Sequence, residues 1–256
     1  MTKQEFYDIK EEFAAVTCKF EQMNKKVNEL RAKYNKYFFP QIMANKHLVA
    51  EISLLTNLVS LKSKNENDEE IERVRNEFVN KVLAEEIDDI NKHNKFVSIA
   101  NNFEKHTQEE NDQFEFKVEN FILDYHPFVN INMDPKVQNV FKLLMTMYYD
   151  NNIEGFDEIF EMNKNGLAHP EIGEDDYQRA QKLYLQFKIA YQKNYNELKN
   201  QFPLNKEVVF LNEVSMDSEK DDLEISIKKL LGMNEAIHKD YIATFGSDYK
   251  IPFQTK

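Results

Sequence analysis

Residues 6–37 read FYDIKEEFAAVTCKFEQMNKKVNELRAKYNKY, and their apolar members decide the fold. Phe6, Ile9, Phe13, Val16, Phe20, Met23, Val27, Leu30, Tyr34 and Tyr37 step by alternating three and four residues. Side chains at that spacing share one face of an α-helix, and over about five heptads they make a coiled-coil-like seam. Pro40 predicts that this helix ends at Phe39, because the residue before a proline is pushed out of the α region. Cys18 lies two positions past Val16, on the outer face. An exposed, ordinary thiol is expected there, with only Lys19 beside it to lower its pKa.

Glycine and proline mark the breaks, and the chain has only five and six of them among 256 residues. That is too few for the turns of a sandwich or a doubly wound sheet, so an all-α fold is expected. After Pro40, Leu48, Ile52, Leu55 and Val59 continue a helical stripe up to the polar run 62–67. Asp68 can cap the next helix, with Glu69 and Glu70 in its first turn and an apolar face through Ile71, Val74, Phe78, Val82, Ile87, Ile90, Val97 and Phe103. Two long helices joined by a short turn predict an antiparallel hairpin.

A compact unit follows. Phe114, Val118, Phe121, Ile122 and Tyr125 mark a short helix from near Asn111 that stops at His126-Pro127. Asp134 as N-cap and Pro135 at the first helical position open another, with Val137, Val140, Phe141, Leu144, Met147 and Tyr148 inward. Ile153, Phe156, Ile159 and Phe160 give a third. From Gly166 to Gly173, with His169-Pro170 between, the chain reads as a linker, and Asp175 or Asp176 can cap a helix through Tyr177, Ala180, Tyr184, Phe187 and Tyr191. Val208 to Leu211 is either a helical turn or a brief strand. The stretch from Glu213 to Glu224 carries six acids and one lysine, and the last helix places Leu223, Ile227, Leu230, Ile237 and Tyr241 on one stripe, with Gly246 as C-cap. The expected division is 1–110 as a long-helix region, 111–165 as the compact unit and 166–256 as a second helical region.

With 33 Lys+Arg against 45 Asp+Glu, the net charge of −12 disfavours nucleic acid and anionic membrane as partners. One cysteine excludes an internal disulfide or a multi-thiolate metal site. Residues 1–10 hold Glu5 and Asp8, with no apolar run after them to form a signal peptide. A soluble cytoplasmic protein is expected.

The helix, the loop Tyr125-His126-Pro127-Phe128-Val129-Asn130 and the helix after it resemble the centre of a J domain, the module that stimulates the ATPase of seventy-kilodalton heat-shock chaperones. They look more like a looser bacterial group in which a J-like His-Pro-Asp-Leu-Asn-Pro loop and a Tyr-x-x-Gly-Asp-Leu type turn sit between coiled-coil helices; Tyr149-Asp150-Asn151-Asn152-Ile153 matches that turn. The resemblance spans about residues 111–162 and implies a partner-binding surface at Tyr125, His126, Pro127, Phe128 and Asn130. Three features depart from it. Phe128 replaces the Asp needed to engage the chaperone, and a phenyl ring cannot accept a charge-assisted hydrogen bond. The preceding helix, normally basic, has Lys117 against Glu115, Glu119 and Asp124. The Tyr-Tyr-x-x-Leu-Gly start of the first J-domain helix is absent. On a plainer reading Pro127 simply ends a helix, His126 is hydrogen-bonded near its C-terminus and Phe128 folds back on it.

Glu235 and His238 have the Glu-x-x-His spacing of di-iron bundles, but such a site needs two copies and two further carboxylates. No His-Glu-x-x-His, Gly-rich phosphate loop or Gly-x-Ser-x-Gly elbow is present. The sequence therefore points to a non-enzymatic scaffold without cofactor. Its partners would be proteins, itself included through the heptad helices. A J-type co-chaperone is the first alternative and a metal-binding bundle enzyme the second.

Overall fold

The computed structural model describes residues 2–167 and 174–254, with the backbone alone at 174 and 175. The fold is all-α, with no strand among the described residues. Among the described residues seven α-helices follow in order: α1 (Lys3–Ser63), α2 (Asp68–Lys105), α3 (Gln108–Tyr125), α4 (Pro135–Tyr149), α5 (Ile153–Asn163), α6 (Glu174–Leu198) and α7 (Glu213–Phe245). Short 3-10 turns occupy Lys164–Gly166 and Leu204–Phe210, so Val208, Val209 and Phe210 of the apolar patch are in a helical turn and Leu211 follows it. His169, Pro170 and Gly173 of the expected linker, and the side chain of Asp175, lie outside the described residues. Asp176 lies inside α6 and accepts a hydrogen bond from Asn132 at 2.8 Å.

The chain divides into two compact units, Met1–Lys33 with Val97–Glu207 and Tyr34–Phe96 with Val208–Lys256. These units are drawn by contacts in space, and the segments 1–110, 111–165 and 166–256 by breakers along the chain. The two divisions cut differently because α1 and α2 each serve both units.

In the first unit α1 buries more than its seam. Phe6, Phe13 and Ala14 pack with Val129 and Ile131 of the loop after α3 and with Tyr177, Ala180 and Tyr184 of α6. A second cluster gathers Phe114, Phe121, Phe141, Tyr148 and Phe156 of α3, α4 and α5, and Cys18 of α1 packs into it. The expectation of an exposed thiol is thus corrected: α3 covers the face that the heptad reading assigned to water. Burial pushes the Cys18 thiol up to about 12, with Glu119 nearby adding to the effect.

In the second unit, Leu54, Leu55, Leu58, Ile71 and Val79 form the core of an antiparallel pair, together with Tyr241 of α7 and Ile251. Lys46–Asp89 and Lys62–Asp68 ion pairs at 2.6 and 2.5 Å lie across the pair. Three expectations fail here. Tyr37 and Ile87 are exposed, while Glu86 is buried and accepts the Gln254 N–H at 3.0 Å. Asn67 rather than Asp68 caps α2, its side chain accepting from Glu70 N–H at 2.8 Å. The first helix runs through Pro40 without a break. An interior proline costs about 3 kcal/mol, and burying a large apolar side chain returns about 1.5–3 kcal/mol. Phe38 and Met43, buried on either side of an exposed Pro40, outweigh the lost bond. At the far end Gly246, at φ 75°, caps α7 as expected.

Candidate functional site

The end of α3 and the loop between α3 and α4 hold the five residues at which the resemblance implies a partner surface. α3 begins with a capping box: Thr107 Oγ1 accepts from Glu110 N–H at 3.3 Å, and Glu110 Oε2 accepts from Thr107 N–H at 2.7 Å. This starts the helix three residues earlier than expected near Asn111. At its other end the His126 N–H still bonds Ile122 at 3.0 Å, and Pro127 stops the ladder. Val129 and Asn130 N–H then both donate to the His126 carbonyl, at 3.0 and 2.8 Å. The buried Asn130 side chain donates to the Leu123 carbonyl at 3.0 Å and accepts from Lys10 Nζ at 2.6 Å. Tyr184 of α6 donates to the Val129 carbonyl at 2.6 Å. Asp134 caps α4 as expected, accepting from Lys136 N–H at 2.7 Å.

The buried His126 imidazole has its protons placed by the backbone. Phe128 N–H points at Nδ1, 3.1 Å away, so Nδ1 offers a lone pair and the ring proton sits on Nε2. That nitrogen faces Glu21 Oε1 of α1 at 3.3 Å. Glu21 is buried too, and also accepts from the Tyr149 hydroxyl and from Asn24 Nδ2 at 3.0 Å. Burial alone would raise its pKa, but the hydrogen bonds from His126, Tyr149 and Asn24 outweigh this and hold it below the ordinary carboxylate value. Burial and the Glu21 charge push the Tyr149 hydroxyl up, so the tyrosine keeps its proton.

The second motif piece is anchored in the same way. Asn28 of α1 donates to the Tyr149 carbonyl at 2.8 Å and to Asp150 Oδ1 at 2.9 Å, and Asn102 of α2 donates to the Asp150 carbonyl at 3.0 Å. Asn151, buried at φ 49°, donates to Asn111 Oδ1 at 2.9 Å and to the Asn102 carbonyl at 3.3 Å. Beneath this turn Lys25 pairs with Glu115 at 2.6 Å and lies 4.6 Å from the centre of the Tyr148 ring. The Tyr148 hydroxyl donates to the other Glu115 oxygen at 2.6 Å.

His126 and Asn130 therefore face inward. Tyr125 and Pro127 are half-buried, the Tyr125 hydroxyl reaching the Leu167 carbonyl at 3.5 Å. Phe128 alone of the five is exposed, at 58%. Its ring lies 5.5 Å from that of His126, the C-cap of α3. It is also 5.2 Å from Phe187 of α6, and the row continues through Phe20 and Tyr191 with centroids 5.8 and 5.5 Å apart. Sequence reasoning missed Glu21, Lys10 and Asn28, polar residues within a helix that read as its solvated faces.

Glu235 and His238 do not converge. Glu235 is exposed, and His238 Nδ1 meets Asp248 at 2.6 Å. No cluster of three His, Cys, Asp or Glu side chains suited to a metal occurs among the described residues. Among those residues, no helix is long and apolar enough to cross a membrane. No protein-family model, curated protein or solved structure matches this chain.

Proposed function

We propose that this chain is a non-enzymatic interaction protein of the cell interior, a scaffold whose degenerate J-like unit presents an aromatic surface in place of an acidic one. The observation that carries the reading is the division of labour within the loop. The polar members, His126 and Asn130, are consumed in holding its shape against α1, while Phe128 stands at 58% exposure beside the half-buried Phe187, Phe20 and Tyr191. An exposed aromatic backed by others is what interface anchors are made of: rigid, apolar and cheap to order. The co-chaperone alternative draws no support from this arrangement, because the histidine that would meet a chaperone is hydrogen-bonded inside the unit.

The test compares wild type with Phe128→Ser by affinity capture from the native cell, with thermal denaturation checking that the variant keeps its fold. Partners held by wild type should be lost from the variant. Unchanged capture, or a rise in chaperone ATPase turnover on adding the wild-type chain, would reject the proposal.

A further inference from the structure

We infer that the outward face of α6 docks on the acidic start of α7 in a second copy of this chain; this rests on the interaction-protein reading and names one of its partners. In a chain of net charge −12, the stretch from Tyr177 to Asn196 carries Arg179, Lys182, Lys188 and Lys193 and no acid. Its inner face is filled by Tyr177, Ala180 and Tyr184. At 100° per residue, Leu185 and Ile189 fall about 110° and 150° round from that inner face. They are 60% and 61% exposed, between the exposed Lys182 and Lys188. A helix with one buried face normally turns polar residues outward, and no described residue covers this second apolar stripe. A groove of about 310 Å³, lined by Ile9, Phe13, Tyr184 and Leu185, opens along its edge.

The complementary surface is elsewhere in the chain. Val208, Leu211 and Val214 recur every three residues at the end of the 3-10 turn and the start of α7, and they are 62%, 71% and 78% exposed. Around them lie the exposed Glu213, Asp217 and Asp221, within a stretch of six acids and one lysine. Pairing α6 with α6 would set cations against cations, and pairing α7 with α7 would set acids against acids; both are penalised. Only α6 against α7 matches apolar to apolar and plus to minus. Such an interface is heterologous: each copy keeps one free face of each kind, so assembly grows with concentration toward a ring or an open chain. Its modest apolar area makes it weak and salt-sensitive.

The experiment is sedimentation velocity over a wide concentration range at low and high salt. Wild type should gain mass with concentration and lose it in salt. Leu185→Asp with Ile189→Asp breaks the α6 face, and Leu211→Lys with Val214→Lys breaks the α7 face; each variant alone should associate tenfold or more weakly. Mixed together, they should form a one-to-one dimer that grows no further, since each supplies the face the other lacks. The milder Leu185→Gln with Ile189→Gln, with circular dichroism on every variant, covers a failure to fold. A wild type that stays monomeric, either variant associating like wild type, or a mixture that stays monomeric would overturn the inference. So would monomeric wild type that binds phosphatidylglycerol vesicles through Leu185 and Ile189, which assigns the face to lipid. Phe128→Ser should leave self-association intact. Monomeric wild type with Phe128-dependent partner capture sinks the inference and keeps the proposed function, and a growing assembly with Phe128-independent capture does the reverse.

Discussion

Replacing Glu21 tests the geometry of the loop most directly. Glu21→Ala leaves the buried His126 Nε2–H and the part-buried Tyr149 hydroxyl without their acceptor. Each stranded donor costs about 1–3 kcal/mol, so the first unit should lose about 2–6 kcal/mol. Glu21→Gln should cost less, about 1–2 kcal/mol, because its carbonyl can still accept from His126 and its amide can donate to Tyr149, whose hydroxyl accepts as readily as it donates. Urea unfolding followed by circular dichroism and tyrosine fluorescence gives the totals. Hydrogen exchange at the Val129 and Asn130 amides, which both bond the His126 carbonyl, reports the loop itself. A cost below about 1 kcal/mol for the alanine variant, or equal costs for the two, would refute the assigned hydrogen bonds. The pH dependence supplies a second check. The folded carboxyl is held below its ordinary value, so its contribution is complete above the unfolded-chain pKa of about 4.3 and is lost as pH falls through the lower folded value. Glu21→Gln lacks that contribution, and the stability gap to wild type should close on acidification across this window. A widening gap would contradict the sign.

Other expectations follow from single positions. Cys18, with its pKa pushed up to about 12, should react with Ellman's reagent only as fast as the fold opens; rapid stoichiometric labelling of the native protein would contradict its burial. Asn151→Ala loses two donated hydrogen bonds and keeps a left-handed φ of 49°, so chemical denaturation should show a loss of about 2–4 kcal/mol. Asn151→Gly should lose less, since glycine accepts that φ without strain. Pro40→Ala restores a helical N–H at an exposed site and should stabilise the second unit by about 1–3 kcal/mol, after allowing for the freer unfolded chain. A lower melting temperature would show that the ring is needed where it sits.

The helices, their apolar inner faces and most of their ends were legible because each depends on neighbours three or four residues away. Asp134 and Gly246 are caps whose chemistry is local, and both stand where the pattern put them. Thr107-x-x-Glu110 and Asn67-x-x-Glu70 were equally local signals and were passed over. The rest was illegible for a different reason. A heptad pattern reports one buried face, whereas α1 is covered on more than one side, so Cys18, Glu21 and Lys25 are buried where the period assigns water. The partner of His126 lies 105 residues away in sequence, and a lone glutamate between a phenylalanine and a glutamine carries no mark of that pairing. Phe128 was visible as a departure from the J pattern; its exposure depended on α6, which meets it through Phe187.

The sharing of α1 and α2 between the two units limits how this architecture can be rearranged. The boundaries fall at 33/34 and 96/97, inside continuous helices, and again at 207/208, so neither unit is a contiguous stretch that one cut could release. Recombination could not exchange one unit for a foreign module without severing a helix. The exposed turn at 64–67, with Asn65 at φ 59°, instead offers a place where an insertion or new chain ends would spare both cores.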